Sequence, residues 1–204
     1  MDLLMPLCYT PTIAQAIYMV PTQNITIEIF EHFIKQTCRN RCTIASANGK
    51  LHLSIPIEHH LLKSNPIKNV LIKSDTKWGI IHWRSIESAY NNSPFFEFYK
   101  PQLKVIFEKQ PPMLIDWNIT LFNWTLQKLK INSEINFTTT FAKLYPATID
   151  LRVSNCNHFE LQSYNQVFPT AKSDINQLSC FDLLFNLGNG ARDYLIHQAS
   201  RLIT

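Results

Sequence analysis

Arg39 and Arg41 stand two residues apart, with Lys35 ahead of them and no acidic residue in the interval. On an extended strand, alternate residues share a face, so the two guanidiniums are expected to point the same way. Such a pair packs poorly in a core and makes a good fork for a phosphate or carboxylate. Asn40, between them, belongs to the same candidate anion site. A solvated strand face accounts equally well for these residue types.

A second group lies on the stretch Trp78 to Tyr90. At helical spacing, Trp78 and His82 are one turn apart, and Trp83 and Tyr90 close to two. Aromatic planes beside cations suit a sugar or nucleotide ring, so Trp83 and Tyr90 are candidate stacking residues. His82, with an ordinary pKa near neutrality, is the candidate general base. The competing account is that this stripe is core and that His82 hydrogen-bonds within the fold.

Five cysteines occur, at positions 8, 38, 42, 156 and 180. An odd number without a Cys-x-x-Cys pair favours reduced thiols and a cytoplasmic setting. Cys8 ends an apolar run at the start of the chain. Ligands of open α/β sheets bind beyond the carboxyl ends of strands, which makes Cys8 a candidate nucleophile and Tyr9 a candidate ligand contact. A packed thiol is the simpler account of Cys8. Seven histidines include His59-His60, but none forms an H-E-x-x-H pattern, and Cys38 with Cys42 lacks further ligands at metal spacing. No metal site is expected. With only 4 glycines, neither a G-x-G-x-x-G nor a phosphate-loop motif is present, and no cofactor is expected.

The elements that must position these groups follow from patterning. Asp2 to Cys8 reads as a buried strand, Ile13 to Met19 as a helix capped by Thr10 or Thr12, and Ile25 to Ile29 as an alternating strand. This opening is β-α-β and implies parallel pairing. Asn48-Gly49 predicts a type I′ hairpin turn with arms at about Arg39–Ser46 and Leu51–Ile57. His59 through Asn69 reads as a loop, and Val70 to Lys73 as a short strand. Three helices follow: Lys77–Tyr90 capped by Asp75 or Thr76, Phe95–Lys109 interrupted near Pro101, and Ile115–Lys130. Glu134–Phe141 and Ile149–Val153 read as strands, Gln162–Asp174 as a loop, and Leu178–Asn186 and Ala191–Leu202 as helices, with Ser179 as N-cap and glycines between. The length of 204 residues, 46% apolar content and lack of repeats or linkers fit one α/β domain over residues 1–204, with a mixed sheet, an N-terminal β-α-β unit, a β-hairpin and a helical block. The net charge of +4 is mild and spread out, which suits a small anionic ligand better than nucleic acid. No apolar run reaches membrane-spanning length.

Several of these blocks together resemble the WbqC-like family. They are Lys35-x-x-x-Arg39-Asn40-Arg41, Asn48-Gly49 and Leu53-Ser54-Ile55-Pro56-Ile57; then Lys77-Trp78, His82-Trp83, Ile86, Ala89-Tyr90, Pro94-Phe95-Phe96 and Tyr99. Tyr9-x-Pro11 followed by Tyr18 is similar to the family's opening, and Asp182 to Gly188 (DLLFNLG) to its Bacteroidetes-type branch. Cys38 departs from the family pattern by replacing a common aromatic. The resemblance implies a role in O-antigen or other surface-polysaccharide assembly, with glycine transfer to an amino sugar suggested for some members. On that basis the chain is expected to be a transferase that moves an aminoacyl or acyl group to a nucleotide amino sugar. Lys35, Arg39 and Arg41 would hold the phosphates, Trp83 or Tyr90 the ring, and His82 would take the proton. The alternative is a non-catalytic binding or scaffold protein of the same pathway. A homo-oligomer is compatible with either.

Overall fold

The apolar run Leu3 to Leu7 is buried on both of its faces, as the middle strand of a parallel sheet requires. A computed structural model, which describes residues 2–58, 65–145, 148–152 and 160–202, places it there. The strand β1 (Asp2–Pro6) ends where Pro6 has no N–H to offer the ladder. Helix α1 (Ile13–Met19) follows, started by a reciprocal capping box: Gln15 N donates to Thr12 Oγ1 at 3.2 Å, and Thr12 N to Gln15 Oε1 at 2.9 Å. Strand β2 (Asn24–Glu28) returns parallel to β1. The expected β-α-β unit is present.

Strand β3 (Arg41–Ser46) and strand β4 (Gly49–Ser54) form the hairpin. Helices α2 (Trp78–Tyr90), α3 (Phe96–Glu108) and α4 (Leu114–Leu129) make the aromatic block. Strands β5 (Glu134–Phe137) and β6 (Thr148–Asp150) then join the first sheet, giving the all-parallel order β5-β2-β1-β6. Helices α5 (Lys172–Ile175), α6 (Cys180–Leu187) and α7 (Gly190–Leu202) complete the described chain. The architecture is α/β with one continuous hydrophobic core, in which Trp117, Tyr9, Tyr90, Phe96, Phe107, Phe181 and Phe185 are fully buried. Parallel and antiparallel pairing are carried by two separate sheets. The hairpin's outer edge is covered: Ser179 N donates to Thr43 O at 2.8 Å, and Ala45 N to Tyr90 Oη at 3.2 Å.

Local expectations changed in several places. The turn is not type I′, because Ala47 and Asn48 keep negative φ and only Gly49 is left-handed, at φ +93°. That is the longer hairpin loop, in which a glycine closes the turn as a bulge. Nothing crowds Gly49, so its requirement is purely one of backbone. Gly49→Ala should therefore cost about 1–2 kcal/mol, read as a lowered urea midpoint at unchanged slope. Leu71 and Ile72 make isolated bridges, to Met113 and Ile57, rather than a strand. Neither Asp75 nor Thr76 caps α2; Lys77 holds the N-cap position, and Thr76 Oγ1 donates to Lys73 O instead. Ser179 holds the N-cap of α6 without a side-chain bond. Helix α3 runs through Pro101 unbroken. Pro101 is exposed, so the carbonyl its missing N–H leaves behind is able to meet water. His59-His60, Val153 and Cys156 lie outside the described residues.

Candidate functional site

Arg39 precedes β3 and lies in a turn, not on the strand. Its Nε and Nη2 grip the Glu31 carboxylate at 2.7 and 2.5 Å, and both side chains are buried. Burial pushes the Glu31 carboxyl up, and the two guanidinium bonds oppose it. The Arg39 carbonyl accepts from Asn118 Nδ2 at 2.8 Å, and the same amide reaches Leu7 O. Asn40 clamps the far arm: Ile55 N donates to Asn40 O, and Asn40 Nδ2 to Ile55 O at 3.0 Å. Arg41 alone is on β3, partly exposed, and gives its Nε to Ser54 Oγ at 3.0 Å. The expected fork of Arg39 with Arg41 is therefore not assembled. A turn at 37–40 breaks the period-two relation that the pair depended on. Lys35 is exposed in the turn ahead of Arg39.

The aromatic candidates are committed to the core. Trp83 stacks on Phe96 and packs against Phe107. Tyr90 Oη donates to Asp182 Oδ2 at 2.7 Å, and its ring meets Phe185. Asp182 also accepts from Tyr164 Oη and from Gln166 Nε2. Burial raises its carboxyl pKa against those bonds. This buried hub fastens the segment around Tyr164–Gln166 to α2 and α6.

His82 and Tyr9 do come together. His82 Nδ1 and Tyr9 Oη are 2.9 Å apart, and the rings lie near parallel. The imidazole is 5% exposed. Burial lowers its pKa to about 4, against a hydrogen bond to the Ser54 carbonyl. At neutral pH, then, Nδ1 accepts from the Tyr9 hydroxyl while the other ring nitrogen donates to Ser54 O. Ser54 thus joins both candidate groups: its hydroxyl receives Arg41 and its carbonyl receives His82.

Two further surfaces carry charged groups. At the carboxyl ends of β2 and β6 lie Glu28 and Asp150, with Glu31 and Arg152 just past them, all of which the sequence reading missed. An acidic residue inside the alternating run ITIEI was the available signal for Glu28. Arg152 spends all three nitrogens on Asp150, Glu28 and the Ala142 and Lys143 carbonyls. Glu28, fully buried, also accepts from Phe30 N and Thr138 Oγ1, both at 2.8 Å. This edge is closed by its own ion network. The outer face of the hairpin differs. Cross-strand pairing sets Arg41 opposite Ser54, Thr43 opposite His52, and Ala45 opposite Lys50. Thr43 Oγ1 and His52 Nδ1 are 3.0 Å apart. His52 is held below its ordinary pKa by burial, then by the Arg41 and Lys50 charges, so the imidazole sits in a positive field. Lys50 is paired with Asp174. Among the described residues no carboxylate pairs with Arg41. Close to the turn, Lys50, Leu51, Arg84, Ser85, Ser88 and Phe168 help line a groove of about 530 Å³, within the size range of small-molecule sites.

These features define an α/β protein whose parallel sheet is joined to a hairpin with a cationic outer face backed by a buried Tyr–His pair. No group of three or more His, Cys, Asp or Glu that could hold a metal occurs among the described residues, and no helix there is long and apolar enough to cross a membrane. The chain belongs to the WbqC-like protein family, whose model matches residues 25–173. No curated protein and no solved structure matches it.

Proposed function

We propose that the chain binds a small phosphate-bearing sugar, of the nucleotide-sugar kind, on the outer face of the hairpin. It would serve the cytoplasmic transfer of an aminoacyl or acyl group to that sugar in surface-polysaccharide assembly. The observation that carries the reading is the placement of Arg41 and Lys50 on either side of His52 on one face of the hairpin, flanked by the hydroxyls of Thr43 and Ser54. Residues 50, 52 and 54 of β4 step along this face about 7 Å at a time, a spacing that suits an extended anionic ligand. Arg41 is the phosphate contact. Tyr9 and His82 hold Ser54 in place from beneath. Asn40 and Tyr90 hold the two arms of the hairpin, through the Ile55 carbonyl and the Ala45 N–H, while Arg39 and Lys35 belong to the turn that leads to it and Trp83 packs in the helical block.

A non-catalytic binding protein of the same pathway is the second reading. The position of His82 favours it: both ring nitrogens are engaged and the imidazole is buried. A general base needs an open hydrogen-bonding position toward its substrate.

Titration with a UDP-amino sugar, followed by thermal shift and calorimetry, tests the site. Wild type should be stabilised, and Arg41→Ala/Lys50→Ala should bind at least about tenfold more weakly, because charge-assisted hydrogen bonds contribute about 1.5–3 kcal/mol each. Equal binding by the double variant sinks the assignment. Turnover with an added aminoacyl donor separates transferase from binding protein.

A further inference from the structure

The turn before β3 brings a second cysteine against the end of β1. Tyr9 N donates to Cys38 O at 2.8 Å. The Cα atoms of Cys8 and Cys38 are each two covalent bonds from an end of that hydrogen bond. They are therefore close to the separation of roughly 4.4–6.8 Å that a disulfide spans. The two thiols are close enough to perturb each other's ionisation, and the Cys8 S–H donates to Pro6 O at 3.5 Å. Cys8 is fully buried, and its sulfur also receives Gln15 Nε2 at 3.2 Å. Cys38 is partly exposed and free.

We propose that Cys8 and Cys38 form a reversible thiol–disulfide pair, oxidised by hydroperoxides, with Cys38 as the sulfur that reacts first. The division of labour follows from the surroundings. Cys38 lies beside the Cys8 thiol and the Arg39 guanidinium, and both hold its pKa below the ordinary thiol value. Burial pushes Cys8 well up, so it stays a thiol until its partner has reacted. Cys42 is also buried, and burial raises it to about 12, which makes it a poor competitor.

In the first step the Cys38 thiolate attacks the hydroperoxide. An S–O bond forms, the O–O bond breaks, and the leaving oxygen departs as hydroxide or alkoxide and takes up a proton. The sulfenic acid left on Cys38 is then attacked by the Cys8 sulfur. The S–S bond forms, the S–O bond breaks, and the Cys8 proton leaves with the departing oxygen as water. Each chain loses two electrons to one peroxide, and a dithiol or glutathione returns them. Transient bonds of this kind are the usual disulfides of reducing compartments. The bond would fasten the turn at 37–40, and with it the start of β3 at Arg41, to the end of β1.

The full-length chain is reduced, exposed to stoichiometric hydrogen peroxide, alkylated and mapped by mass spectrometry. The expected product has lost about 2 Da, regains it with dithiothreitol, and yields tryptic peptide 1–35 joined to 36–39. Cys8→Ser should trap Cys38 as a sulfenic acid, detected with dimedone, and Cys38→Ser should leave Cys8 unoxidised. Cys42→Ser should cross-link like wild type. A link from peptide 1–35 to 42–50, a bond to Cys156, or hyperoxidation of Cys38 with Cys8 still alkylatable would overturn the proposal. Because wild type alone distinguishes these products, poor folding of a variant does not remove the test.

Discussion

Arg39→Ala is expected to remove about 3–5 kcal/mol of stability, the usual cost of stripping one partner from a buried ion pair. The Glu31 carboxylate would be left nearly enclosed, with its two strongest hydrogen-bond donors gone. Since domains of this size are typically stable by about 5–15 kcal/mol, the variant should be marginal at 37 °C. Urea unfolding followed by circular dichroism gives the value. Glu31→Gln should cost less, because an amide need not remain charged. A double replacement by methionine should recover most of the loss, since both charges leave together. If Arg39→Ala stays within 1 kcal/mol of wild type, the pair is not a structural clamp. Arg39 would then return as a ligand residue beside Arg41.

Stability should also fall steeply as the solution is acidified from pH 6.5 toward pH 4, through His82. The imidazole titrates near 6.5 in the unfolded chain and near 4 in the fold. Across that window the unfolded chain binds a proton that the folded chain refuses, so unfolding becomes easier as pH drops. At about 1.4 kcal/mol per pH unit the loss reaches about 3 kcal/mol at the acid end, and nothing is lost from this source above pH 6.5. Glu31 and Asp182, both raised by burial, act with the opposite sign. The difference between wild type and His82→Gln therefore isolates the effect: wild type should lose ground to the variant on acidification, and parallel pH profiles would show the imidazole to be accessible to solvent.

Much of the architecture was legible in the order of residue types. The buried run of β1, the capping pair Thr12 and Gln15 and the alternation of Ile25–Ile29 are local signals, and they specify a β-α-β unit without reference to the rest of the chain. The three aromatic helices were equally plain, because their apolar residues recur at helical spacing. Pro101 misled, since a proline was expected to interrupt α3 and the exposed surface tolerates one missing hydrogen bond. The turn misled for another reason. Asn-Gly is compatible with more than one hairpin loop, and whether Asn48 or only Gly49 takes positive φ is decided by how the strands register against their surroundings.

For the site, residue type was informative and partnership was not. Arg39 and Arg41 look alike in sequence, yet one is held by Glu31 and the other faces outward beside Ser54. The acidic partner is eight residues away along the chain and reaches Arg39 only because both lie near the end of the parallel sheet. Likewise Tyr9 and His82, singled out for separate reasons, are 73 residues apart and meet only in the fold. His52 and Lys50 escaped notice because their cationic neighbour sits on the opposite strand.

The sequence by itself determined the α/β class, the family, the position of the hairpin and the stretches from which site residues would come, since each rests on patterns a few residues long. Tertiary structure alone decided which charges are cancelled and which face solvent. Ionisation and reach depend on burial and on partners far away in sequence, and no local pattern encodes either.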